Sequence, residues 1–162
     1  MNGQKANYFA NTLAKLRYKK WELYVVSRVI HLLDDLEIEF VCQQLILLNG
    51  GGWVFADMYF PQFNLCLEIN ERGGHSKLED RLHDEKRQLE ILKSVGAQVE
   101  KIENFTGESG SISDASLARI NTQIDQFVNL LRHHKKAALE QKTFVPWDLR
   151  DQYKPERHIN AG

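Results

Sequence analysis

Trp53-Val54-Phe55-Ala56-Asp57-Met58-Tyr59-Phe60, then Pro61-Gln62-Phe63-Asn64, then Leu65-Cys66-Leu67-Glu68-Ile69-Asn70 reads as two strands around a short turn. Aromatic and β-branched residues fill the runs, and Pro61 and Asn64 mark the turn. Antiparallel pairing about the Gln62–Phe63 centre sets Asp57 opposite Glu68. Like charges directly opposed in a sheet are destabilising. A fold keeps them with a compensating cation or a raised carboxyl pKa. Leu65, Leu67 and Ile69 alternate to one face, and Cys66, Glu68 and Asn70 to the other. Glu68 is thus presented by a strand whose opposite face is apolar. A hard cation such as Mg2+ takes oxygen ligands and is held by one or two carboxylates with phosphate and water. It can activate water and neutralise charge on a phosphoryl group. A surface ion pair with Lys or Arg would account for either acid alone. Both acids in register, inside apolar strands, point instead to phosphodiester hydrolysis.

The flanking sequence supplies the rest of an α/β fold. Apolar residues at helical spacing (Leu13, Leu16, Trp21, Tyr24, Val25, Val29, Leu32, Leu33) predict one long helix from Asn7 to about Asp34, with no Pro or Gly to break it. Ile38–Leu48 reads as a strand, followed by the tight turn Asn49-Gly50-Gly51-Gly52. Beyond the Gly-containing loop Arg72–His75, a helix is expected from Leu78 to Val95, closed by Gly96. A strand follows over Gln98–Ile102. A last helix, capped by Ser113 or Asp114, runs to about Leu139. The polar stretch Gln141–Gly162 holds two of the three prolines and reads as a linker or arm after a domain spanning 1–140.

With 162 residues, the chain is long enough for one domain with a real core. No apolar run approaches the roughly 20 residues that span a bilayer, and Gln4, Lys5 and Asn7 interrupt any signal-peptide pattern. Cys42 and Cys66 lie in apolar runs and are expected reduced, in a cytoplasmic setting. A net charge of −1 does not advertise a nucleic-acid binder. The basic clusters Lys15, Arg17, Lys19, Lys20 and Arg132–Lys136 read as solvated helix faces. His31 sits where a cation favours a helix C-terminus. His133, His134 and the cysteines lack zinc-site spacing.

Trp21-Glu22-Leu23-Tyr24-Val25-Val26, Gln43-Gln44, Asp57-Met58-Tyr59-Phe60-Pro61-Gln62, and Glu68-Ile69-Asn70-Glu71 followed by His75 resemble the nuclease domain of the PvuRts-type modification-dependent restriction endonucleases. That domain is similar in its core to the very-short-patch mismatch endonuclease. Pro146-Trp147-Asp148, with Tyr153 following, resembles the segment leading out of it. The resemblance implies a PD-(D/E)XK core of order αβββαβ: a mixed sheet flanked by helices, with an added C-terminal helix. It implies Mg2+-dependent cleavage of double-stranded DNA, with Mn2+ as a substitute, near 5-hydroxymethylcytosine or its glucosylated form. An SRA-like domain that recognises the modified base would follow where this sequence stops. Carried over, Asp57 and Glu68 are the metal-binding acids, and Glu22, matching a further acid on the first helix, is expected to bind the metal with them. Asn70 stands where the broad motif has Lys. His75 would orient water or protonate the leaving group, while Gln43, Gln44 and Lys77 would meet DNA. A surface-paired Glu22, a solvent-exposed His75 and a merely polar interruption at Gln43-Gln44 are the alternative readings. Cutting both strands favours a homodimer, with no membrane involved. Two other functions compete: a mismatch-nicking or homing-type nuclease on the same core, and a catalytically silent DNA-binding or assembly module.

Overall fold

A computed structural model of the chain describes residues 3–47, 51–72, 78–105, 111–149 and 158–160. Helices α1 (Gly3–Ala14) and α2 (Lys20–Leu33) precede an antiparallel meander of β1 (Val41–Leu47), β2 (Trp53–Phe60) and β3 (Leu65–Arg72). Helix α3 (Leu78–Ser94) crosses to β4 (Gln98–Phe105), which pairs parallel with β3. The long helix α4 (Asp114–Glu140) follows, then a 3-10 turn at Trp147–Leu149 and a short strand β5 (His158–Asn160). The sheet order is β4-β3-β2-β1-β5, with β5 parallel to β1. The expected α/β order is present, with β5 as an added edge strand.

Two expectations at the N-terminal end are corrected. Asn7–Asp34 is not one helix; the chain turns at Lys15–Tyr18, and Lys19 leaves the helical conformation (φ −109°, ψ 72°). Short-range bonds such as Leu16 N–H to Leu13 O (3.0 Å) and Lys19 N–H to Leu16 O (2.8 Å) close the turn. Packing, not a breaker residue, imposes it. Tyr8 of α1 is anchored on the β1 side by its hydroxyl, which donates to Phe40 O at 2.6 Å. Val25, Val26 and Val29 of α2 lie in the core with Ile120, Ile124 and Phe127 of α4. The turn between the helices buries Leu16 completely. β1 also starts three residues later than expected, at Val41.

Other boundaries follow local chemistry. Gly96 (φ 75°) ends α3 in the left-handed region, where a missing Cβ removes the steric penalty. Ser113 caps α4 by accepting from Ser116 N–H at 3.2 Å. The basic Arg132–Lys136 cluster is partly structural. Arg132 donates to Leu32 O at the end of α2 (2.6 Å), and Lys135 pairs with Asp35 (2.7 Å) and Glu37 (2.5 Å).

The first stretch beyond α4 returns to the core. Trp147 is fully buried against Tyr8, Phe9 and Phe40, with ring centroids 5.3, 5.9 and 5.5 Å away. Gln62, in the β2–β3 turn, clasps this segment by donating to Val145 O (2.7 Å) and Glu37 O (2.9 Å). No described helix is long and apolar enough to cross a membrane.

Candidate active site

The observed β2–β3 register is the one read from the turn: Phe60 faces Leu65, Tyr59 faces Cys66 and Met58 faces Leu67. The next rung would be Asp57 with Glu68, and there the ladder opens. Asp57 Oδ2 accepts from Ile69 N–H at 2.7 Å in place of a backbone carbonyl. Beyond that point β2 continues with β1 as far as Trp53–Leu47, while β3 continues with β4 as far as Arg72–Phe105. The sheet is therefore a fork, and the two acids stand at its crotch.

A second irregularity lies across β2. The β1–β2 ladder runs on both sides of Gln43 and Asp57 but omits that pair. Gln43 has φ 53°, a left-handed conformation that costs a non-glycine residue about 1–2 kcal/mol. Cys42 and Met58, before this point, pack in the larger core with α2 and α4. Ile46 and Ala56, after it, pack in the smaller cluster with Leu92 of α3. The hairpin thus switches faces where Gln43 meets Asp57. Backbone strain of this kind is retained where neighbouring structure fixes it, often at functional sites. Here the gain is visible: Gln43 Nε2 donates to Glu22 Oε1 and to Asp57 Oδ1 (3.2 Å).

Glu22 comes from the first turn of α2. Lys19, freed by the break before that helix, lies 3.0 Å from Glu22 Oε2 and donates to Gln43 Oε1 at 3.1 Å. Glu22 and Glu68 are 7% and 6% exposed, so the charged form of each is penalised. Burial first, and the charge of Asp57 second, push Glu22 up to about 7; Lys19 and Gln43 pull it back. Burial and then Asp57 push Glu68 up to about 9, while a hydrogen bond to the Asp57 backbone and the charge of Lys101 oppose the rise.

The other site expectations separate. Gln44 is fully buried and donates to Leu45 O at 2.9 Å, so Gln43 alone of that pair reaches the acids. Asn70 follows Glu68 on β3, with a buried Nδ2 that has no hydrogen-bond partner among the described residues. His75 and Lys77 lie outside the described residues. Cys42 and Cys66 are buried free thiols pushed up by burial, which makes them unreactive. Sequence reading missed Lys19 and Lys101. Lys19 was visible only as one of a basic run, and Lys101 required the β3–β4 register, which pairs it with Glu68.

Among the described residues, no group of three His, Cys, Asp or Glu side chains is arranged to hold a metal ion by itself. Both oxygens of Glu22 are engaged, by Gln43 and Lys19. What remains is the half-buried Asp57 beside the buried Glu68, two carboxylates whose mutual repulsion a cation would relieve. That donor set fits Mg2+, which keeps several waters and relies on one or two carboxylates plus substrate phosphate.

Comparisons with known proteins bear on the fold and the family. No curated protein sequence matches the chain. One solved structure, that of the 5-hydroxymethylcytosine-specific restriction enzyme AbaSI, is similar at a TM-score of 0.65 and 25% identity, over 88% of this chain and 50% of that one. The chain thus spans about half the length of that enzyme. A sequence model described as restriction endonuclease PvuRts1 I-like, N-terminal, matches residues 6–149. A match over so much of the chain, on the same α/β nuclease-like core, shows that this protein belongs to the PvuRts1 I-like restriction endonuclease family through its N-terminal domain.

Proposed function

We propose that the chain is a divalent-metal-dependent DNA endonuclease domain that hydrolyses phosphodiester bonds at the fork between β2 and β3. The observation that carries this reading is the half-buried Asp57 beside the buried Glu68 at the point where the ladder opens. Asp57 and Glu68 would hold Mg2+, with Mn2+ able to replace it. Bound there, the cation would supply an activated water and charge neutralisation at the phosphate. The chain's own residues do the positioning. The Ile69 N–H fixes one Asp57 oxygen. Gln43 holds the other and ties it to Glu22, which in turn is anchored by Lys19. This chain of contacts orients Asp57 before any substrate arrives, which lowers the reorganisation needed in the transition state. Glu22 acts in this reading behind the metal-binding pair, through Gln43. His75 and Lys77, which follow β3 in the sequence, would serve the leaving group and the DNA backbone.

The substrate is double-stranded DNA carrying 5-hydroxymethylcytosine, by analogy with the enzyme of similar structure. Two copies would be needed to cut both strands, in a cytoplasmic setting. The test is cleavage of supercoiled plasmid, modified and unmodified, at high enzyme concentration, in Mg2+ and in EDTA. Metal-dependent nicking or linearisation is expected, with the modified plasmid cut at least as well as the plain one. Cleavage that persists in EDTA, or none on either plasmid, would contradict it.

A further inference from the structure

The position after Glu68 on the same face of β3 is Asn70, an amide that carries no charge. Among the described residues, Lys19, the one cation already placed in the site, is committed to Glu22 and Gln43, which leaves acids to hold a cation but no uncommitted positive charge beside them. The neighbouring strand supplies one. In the parallel β3–β4 pair, Glu68 is registered with Lys101, between the rungs Leu67–Glu100 and Ile69–Ile102. Ile69 and Ile102 both lie in the larger core, and Cys66 and Val99 both pack in the smaller cluster, so registered residues share a face. Lys101 therefore lies beside Glu68 on the face that carries Asn70. Its charge opposes the rise of the Glu68 carboxyl. Lys101 is half-buried and makes no hydrogen bond or ion pair among the described residues. A lysine beside an active-site acid, held on a strand and committed to no partner, is placed to meet an anion.

We propose that Lys101 contacts a non-bridging oxygen of the scissile phosphate, supplying from β4 the positive charge that Asn70 does not supply from β3. The inference rests on the nuclease reading above and adds a residue to it. A lysine acts here as a compact point charge on a long stem and can follow the phosphate as its charge builds. An arginine at the same place would keep most of the effect; a methionine of similar length would not.

The experiment compares wild type, Lys101→Met and Lys101→Arg in two assays, with melting temperature as the check on folding. In single-turnover cleavage of duplex DNA in Mg2+, Lys101→Met is expected to be about 100-fold slower or worse, the scale for losing one transition-state charge contact. Lys101→Arg is expected to recover at least tenfold of that loss. In duplex binding in EDTA, where no chemistry runs, Lys101→Met is expected to weaken affinity and to lower the salt dependence by about one phosphate contact. A Lys101→Met protein that melts like wild type and cuts within twofold of it would overturn the proposal. If wild type itself cuts no DNA, the nuclease reading fails, and the EDTA assay still decides the phosphate contact. Unchanged affinity and salt slope in Lys101→Met would then reject it.

Discussion

Glu68→Gln is expected to abolish cleavage, by about 10³-fold or more, without lowering stability. The size follows from what a bound cation contributes at a phosphoryl group, several kcal/mol, with each 1.36 kcal/mol worth a factor of ten. The stability half of the expectation comes from the environment. Glu68 is 6% exposed, and burial and Asp57 both penalise its charge. Gln is nearly isosteric and removes that repulsion, so the metal-free protein at pH 8 should melt at the same temperature or higher. Catalytic arrangements commonly hold such destabilised groups, and relieving them stabilises the fold at the expense of activity. Single-turnover cleavage and thermal melting, run side by side, check both halves. Lost activity with a large fall in melting temperature would mark Glu68 as structural instead.

The second large effect concerns a residue far from the acids. Trp147→Ala should cost about 3–5 kcal/mol, the usual range for emptying a buried aromatic site. The ring is fully buried, flanked by Tyr8, Phe9 and Phe40, and Lys5 Nζ stands 4.9 Å from its centroid. Lys5, itself 1% exposed, is satisfied by Asp148 (2.8 Å) and Leu36 O (2.7 Å), so the helix α1 and the Trp147 turn hold one another. For a chain of this size the melting temperature should drop by about 10 °C or more. Denaturant unfolding of the variant gives the number directly. A change under about 1 kcal/mol would mean that the segment after α4 is an arm resting on the domain and not part of its core.

Much of this arrangement was readable from residues, and the parts that were not share a physical cause. The Asp57–Glu68 register was legible because a short turn fixes the pairing of both strands around it. Gly96 and Ser113 marked helix ends through local backbone chemistry, which needs no knowledge of the rest of the fold. The break at Lys15–Lys19 had no such mark: neither Gly nor Pro is there, and the break exists because α1 and α2 bury different faces on different partners. Gln43 gave half a signal. A polar pair interrupting an apolar strand was visible, but nothing in a glutamine announces φ 53° or the change of face that follows from it. Trp147 looked like part of a polar tail because its partners, Tyr8 and Phe40, are more than a hundred residues away. Lys101 depends on the register between strands joined by the whole of α3, which no local pattern specifies.

The most direct test of a cation site at Asp57 and Glu68 is the melting temperature as a function of pH, with and without Mg2+. Glu22 and Glu68 have folded pKa values raised from 4.5, to about 7 and about 9. From pH 4.5 upward the unfolded chain releases protons that the folded protein retains, so metal-free stability declines as pH rises through both folded values. Between pH 5 and pH 8 the metal-free melting temperature should fall by about 5 °C or more. Mg2+ at millimolar concentration should raise it at pH 8, where it replaces bound protons, and far less at pH 5. Asp57→Asn should lose the response to Mg2+. A flat pH profile, together with an equal Mg2+ response in wild type and Asp57→Asn, would contradict a metal site at this fork.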